Sequence, residues 1–537
     1  DGERLHAASL TCHDWSGVAQ NLSWFYSWGY SLLLTIPFLI SDNIYTMYKI
    51  AVIINVVLCS LIVPLSYSMG KRIAPNMSRN ALLFISLIVS LYSTYILESA
   101  VSLAETLIYF LAFLILWLLW RYMETRQWIW GILCGLAVGY IYTVHNRCIG
   151  FVIAYAVIAA VLLVREKDLK QLLIMILPLA GMLLLKYGVT QWLDAAESTV
   201  GVYTQNTYGT MTQKVTTGLT LYSLISAVCS ALGSCWYMLA GTFLTAGLGI
   251  LAILKGGIFR KDVPDRQRIF YIYAVVSWLF MLAVSVAGTY RKAPLTEGRT
   301  DIYYYGRYME AAIGFFIFMG LIWLWRKGDL REKLREIAGC FLVFLCLSLL
   351  VYYVTASYTD TGDNLFSVVA ILFPFFYPTL TISVKASSIM AAAVSALILY
   401  LFLLERKRYR YLGAVVLCGT FLFVGYSATY SVAKSYIDQA SVTNRPTANA
   451  DFNDVCAWLE ASGTESFYVL SSEATEAFSF QMVLNKKTVV SLTDAEQLAF
   501  AEAGEYVLLK KTELPDMSGL EVLYENESFY VCTSAES

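Results

Sequence analysis

The sequence predicts a polytopic α-helical membrane protein of about twelve spans, closed by a small C-terminal α/β domain. Three observations predict it. The chain is 58% hydrophobic and only 14% charged, against about 25% charged in a soluble globule. Apolar runs close to the roughly 20 residues of a crossing helix recur from residue 48 to residue 427. From about Thr443 the composition turns soluble.

Taken in order, Asp1–Pro37 is too polar to span and reads as a loop, with Tyr30–Ile40 dipping into the interface. Its start at Asp1 carries the expectation that a helix upstream brought this loop across the membrane. Spans are expected at Tyr48–Met69, Ala81–Leu97, Thr106–Trp120, Trp128–Val144, Ile149–Val164 and Leu172–Leu185. A polar loop from about Thr190 to Thr217 follows, then apolar sequence to Leu254. Further spans are expected at Phe270–Ala287, Ala311–Trp325, Ala338–Val354, Ser388–Leu404 and Leu412–Ser427, with an amphipathic stretch at Leu365–Phe376. Every second loop carries two to five Lys or Arg, which the positive-inside rule assigns to the cytoplasm. The other loops are poorer in basic residues and richer in Tyr, Thr and Asp. They include the N-terminal loop and the C-terminal region, so both are expected to be extracytoplasmic in a multi-pass plasma-membrane protein.

The expected domain line falls at 443, with a transmembrane catalytic domain over 1–442 (its first outer loop 1–47) and a soluble domain over 443–537. In the latter, helices at Asp451–Ser462, Ala474–Leu484 and Asp494–Ala503 alternate with strands at Phe467–Ser471, Thr488–Leu492 and Tyr506–Lys510. A hairpin at Glu521–Cys532 ends it. That alternation predicts a small parallel α/β unit. It has no Gly-rich phosphate loop, and either caps the membrane domain or helps present an acceptor.

Composition also excludes. A net charge of −1 gives no basic face for nucleic acid. The eleven cysteines show neither CxxC nor zinc-site spacing. Most lie in apolar runs as small hydrophobes; Cys456 and Cys532, in polar sequence, could form a disulfide.

Moving a sugar from a polyprenyl phosphate to an acceptor needs a carboxylate to take the acceptor proton, cations to grip the leaving phosphate, and an apolar groove for the lipid tail. Asp1 and Glu3 are carboxylate candidates by position, or an ordinary solvated pair; Asp14 is a reserve. Glu105 opens a span, where the helix dipole stabilises any carboxylate, or faces a site. In His145-Asn146-Arg147, between two spans, Arg147 is the phosphate-binding candidate or a snorkelling side chain, and His145 assists it or is interfacial. The loop RKAPLTEGRTDIYYYGRYME (Arg291–Glu310) is the second dense cluster. Arg291, Lys292, Arg299 and Arg307 lie there against the positive-inside bias, which suits an anionic ligand. Arg307 and Glu310 form either an i, i+3 surface pair or part of a site, with Gly306 permitting close backbone approach. Tyr303, Tyr304, Tyr305 and Tyr308 read first as an interfacial belt, second as a surface for sugar.

These residues bring a family into view. Asp1 with the following LHAASL, YSWGYSLLL (Tyr26–Leu34), LAETLIYFLAFLILWLL (Leu103–Leu119) and YGRYME (Tyr305–Glu310), in that order ahead of a soluble C-terminal domain, resemble bacterial C-type (GT-C fold) glycosyltransferases. These are the polytopic enzymes related to protein mannosyltransferases and the lipid A aminoarabinose transferase. The resemblance covers nearly the whole chain. It implies a GT-C-like fold and an inverting hexosyl- or pentosyltransferase with a polyprenyl-phosphate-linked sugar donor and a glycan, lipid or protein acceptor. It implies Asp1 as general base. Many members have two adjacent acidic residues there; the second is Gly2 in this chain, which leaves Glu3 or Glu105 as the second carboxylate. It implies Arg147 and Arg307 as phosphate ligands; His145, Arg299, Tyr308 and Glu310 complete the candidate substrate-binding set read from the residues themselves. Some members use a divalent metal, although no metal-ligand spacing stands in this sequence. The rival readings are a transporter or flippase for a lipid-linked sugar, whose charges should lie near the bilayer midplane, and a polytopic scaffold without catalysis.

Overall fold

The computed structural model describes residues 2–13, 15–19, 27–197, 220–291, 297–326, 328–356, 359–360, 365–371, 382–404, 406–443, 450–471, 474–492, 494–501, 504–513 and 520–534. Among them, nine helices are long and apolar enough to cross a membrane. A tenth is formed if Arg79–Ser90 and Ser93–Ser99, bent by 58° between them, count as one span. Every expected span falls on a helix except Ala81–Leu97, which crosses that bend, and the number twelve is not reached by length. Trp128–Val144 and Glu310–Trp325 are shorter apolar helices, and the run to Leu254 divides into Leu221–Gly241 and Thr245–Ile253.

The chain packs as two compact units. The larger comprises Ile54–Leu183 and Gly209–Val432. Its centre is Glu310–Trp325, a helix buried on nearly every side, as a helix apolar all round should be. Thr245–Ile253 lies against it at a separation only glycine allows: a Cβ on Gly320 would stand 1.9 Å from the Thr245 carbonyl oxygen. Leu330–Thr355 has the opposite character, with only 22% of its apolar window buried. Its exposed Leu342, Leu349 and Tyr353 are what a lipid-facing helix presents.

The smaller unit comprises Asp1–Ile53, Leu184–Tyr208 and Ala433–Ser537. It therefore groups the N-terminal segment with the C-terminal sheet. Trp15, 1% exposed, explains the grouping: its indole Nε1 donates to the Asn485 carbonyl at 3.2 Å, and its ring meets Phe478 and Phe38 edge-on. The sheet runs Thr488–Leu492, Ser466–Leu470, Tyr506–Lys510, Phe529–Ser534, Leu520–Glu525. The first three strands are parallel, and the last two join antiparallel as the expected hairpin. Val507, Leu508 and Leu509 are buried in succession, the signature of a strand covered on both faces. The Cys456–Cys532 disulfide is not formed. Both thiols are free and buried, and Cys532 belongs to the sheet's apolar core.

Candidate functional site

The larger unit gathers five buried or half-buried charged side chains from four separate stretches of sequence. Glu105 is the first residue of the helix Glu105–Thr125 and is 2% exposed. Its Oε1 accepts from Arg147 Nη2 at 2.9 Å and from Arg307 Nε at 2.6 Å, and Arg307 Nη2 closes a second bond to the same oxygen. One carboxylate thus holds two guanidiniums 42 and 202 residues away in sequence.

Local structure sets each arginine. His145 ends Trp128–Val144 in an extended conformation, and its Nδ1 accepts from the Arg147 backbone N–H at 3.1 Å, opening the single turn Asn146–Cys148. The Arg147 guanidinium then lies 5.0 Å from the centre of the Tyr308 ring, within cation–π range. Gly306 and Arg307 both donate their backbone N–H to the Ser367 carbonyl, and Arg307 lies over Phe366. Burial works against the Arg307 charge, but the Glu105 carboxylate foremost offsets it and holds the guanidinium firmly protonated. Arg299 adjoins this group: it pairs with the buried Asp301 and reaches the Ser367 hydroxyl at 3.3 Å.

Glu310 does not pair with Arg307 across the helix surface. It is 0% exposed; its Oε1 accepts from Thr94 at 2.9 Å and from the Tyr237 hydroxyl. The Tyr237 oxygen accepts in turn from the Ala370 N–H. A Cβ on Gly306 would overlap the Tyr237 ring, at 1.9 Å, so the close approach anticipated at this glycine is to that tyrosine. Tyr303 and Tyr304 are buried and belong to the protein interior, not to an interfacial belt. Tyr308 lies beneath Arg147.

Glu98 completes the group and was not among the expected site residues. It sits in the bent segment Ser93–Ser99, 0% exposed, and neither carboxyl oxygen has a hydrogen-bond partner among the described residues. Glu105, Arg307, Arg147 and Glu310 dominate its electrostatic surroundings. The signal for it was in the sequence, where Glu98 is the one charged residue between Arg79 and Glu105. Asp1 and Asp14 lie outside the described residues, and Glu3 falls in the first helix, Gly2–Leu10, without a described side chain. Among the described residues, no group of three or more His, Cys, Asp or Glu converges as metal ligands would.

No family model matches the chain, and no curated protein matches it in sequence. Solved structures do match. ArnT from Cupriavidus metallidurans bound to undecaprenyl phosphate superposes with a TM-score of 0.52 at 12% identity, covering 100% of this chain and 92% of that one. The apo state of the same protein gives 0.50 at 11%, covering 99% and 91%. Arabinosyltransferase EmbB from Mycobacterium smegmatis gives 0.40 at 14%, covering 81% of this chain and 41% of its own. At these identities the likeness is one of fold. The chain has the GT-C fold that the sequence resemblance implied.

Proposed function

We propose that this protein is a membrane glycosyltransferase that moves a sugar from a polyprenyl-phosphate donor to an acceptor at the extracytoplasmic face. The observation that carries the reading is the buried Arg147–Glu105–Arg307 group. Two guanidiniums converging at helix ends make a preformed grip for a phosphate, because each can donate two parallel N–H bonds to its oxygens. In the resting protein Glu105 occupies that grip. A donor phosphate takes its place on both arginines, and Glu105 serves to keep them aligned while the site is empty. The fold shared with ArnT, and the undecaprenyl phosphate bound to that protein, support the donor class.

The reaction is a displacement at the anomeric carbon. The acceptor oxygen forms its bond on one face as the bond to the phosphate oxygen breaks on the other. The electron pair leaves on the lipid phosphate, whose growing charge the two arginines stabilise, and the acceptor proton passes to a carboxylate. Asp1 is the base assigned by the sequence resemblance, with Glu3 beside it. His145 positions Arg147 through its backbone, Tyr308 supports the guanidinium, and Arg299 steadies the Ser367 turn. Glu310, tied to Tyr237 and Thr94, anchors the helix that follows. The charges stand at helix ends, where a transporter's would be expected deeper in the bundle.

The test is transfer from a panel of radiolabelled polyprenyl-phosphate sugars in membranes. Wild type should transfer one of them. Arg147→Gln and Arg307→Gln should each lower transfer on the order of 100-fold, and Asp1→Asn should abolish it at equal expression. Full activity in both arginine variants would refute the phosphate grip. Full activity in Asp1→Asn would move the base to Glu3 or another carboxylate.

A further inference from the structure

A polar cavity opens at the far end of the helix that begins with Glu310. It has a volume of about 580 Å³ and is lined by Asn76, Met77, Ser78, Trp325, Arg326 and Arg410 among others. Arg326 directly follows Glu310–Trp325, so its backbone stands about 24 Å from Glu310 at the rise of an α-helix. This cavity is therefore separate from the candidate active site.

Its chemistry is one-sided. Two arginines line it, together with a hydroxyl and an amide, and no carboxylate stands among the described lining residues. Both arginines are held by their neighbours. Arg326 Nη2 donates to the Ile73 carbonyl and Arg410 Nη1 to the Trp325 carbonyl, each at 2.8 Å, as cations at helix C-termini do. That fixes the guanidiniums while Arg326 spends one of its five donors. Ser78 caps Arg79–Ser90, so the positive end of that helix adds to the same field. The helix ends next to the lining segments carry Lys71 and Arg72 in Ile44–Ile73, Arg79 in Arg79–Ser90, and Arg331 and Arg335 in Leu330–Thr355; in sequence they belong to the basic set, the side on which pockets between spans take anionic headgroups. Trp325, packed against Phe402 and Tyr411, offers an apolar wall beside the charge.

We propose that this cavity binds a phosphate ester, supplied by the headgroup of an anionic lipid or by a free phosphate compound. The proposal is independent of the glycosyltransferase reading. The test uses the full chain in phosphatidylcholine nanodiscs with a photoactivatable phosphatidic acid, and maps the cross-linked peptides. Label is expected on 74–78 or on Trp325. Unlabelled phosphatidic acid should displace it and extra phosphatidylcholine should not. Arg326→Gln should reduce it about tenfold, while Arg326→Lys keeps much of it and an unchanged Tm shows that the fold survives. Displacement by inorganic phosphate as well as by phosphatidic acid supports the site and identifies the free compound as a competent ligand. Label elsewhere in the chain, or equal displacement by phosphatidylcholine, overturns the proposal.

Discussion

The helix Glu105–Thr125 carries the same arrangement at both ends, a glutamate held by two arginines. Near its C-terminal end Glu124 accepts from Arg72 at 3.0 Å and from Arg121 at 3.2 Å. At its first residue Glu105 accepts from Arg147 and Arg307. The parts are alike and the surroundings are not. Glu124 is 43% exposed, Glu105 2%. Exposed pairs of the first kind contribute about 0–1 kcal/mol, because water already solvates both partners. Buried charges have lost that solvation, so removing one partner strands the rest. Burial, not the count of ion pairs, separates a surface contact from a candidate site.

The largest expected effect comes from emptying the centre of the buried group. Glu105→Gln leaves two guanidiniums without their shared carboxylate and should lower stability by about 3–5 kcal/mol, read as the unfolding midpoint in detergent. A loss below about 1 kcal/mol would put Glu105 in the class of Glu124. Next is Gly306→Ala, whose Cβ meets the Tyr237 ring at 1.9 Å. Overpacking of this kind costs about 1–3 kcal/mol, and the displaced Tyr237 should take Glu310 with it, so transfer should fall together with Tm.

Glu98→Leu sharpens the comparison in the other direction. A buried carboxyl without hydrogen-bond partners is expensive to keep, so its removal should raise stability by about 1–2 kcal/mol and lower transfer. A drop in Tm instead would make Glu98 the second counter-charge of the arginine pair. The smallest effect is expected at the exposed end of the helix. Glu124→Gln should shift stability by less than about 1 kcal/mol and leave transfer unchanged; a loss of transfer there would break the distinction.

Much of this architecture was legible in the sequence because its signals are local. Apolar runs marked every span-bearing segment, and the three parallel strands were located to within one residue at each end. Arg147, Arg307 and Glu105 stood out as charges at the ends of apolar runs. The count of spans was less legible, since a fully buried helix such as Glu310–Trp325 can be shorter than one that must meet lipid. Glu98 was visible as a lone charge in apolar sequence, but its lack of a hydrogen-bond partner among the described residues was not.

The sequence by itself determined where helices and strands form, which loops are basic, and which charged residues sit at helix ends. Periodicity, hydropathy and charge are properties of neighbouring residues, and they need no knowledge of the fold. The tertiary structure alone decided that Arg147 and Arg307 share one glutamate, that Glu310 turns to Tyr237 instead of to Arg307, and that Trp15 packs against the C-terminal domain. Those pairings join residues tens to hundreds of positions apart. Which partners meet there depends on the path of the whole chain, and no local pattern records it.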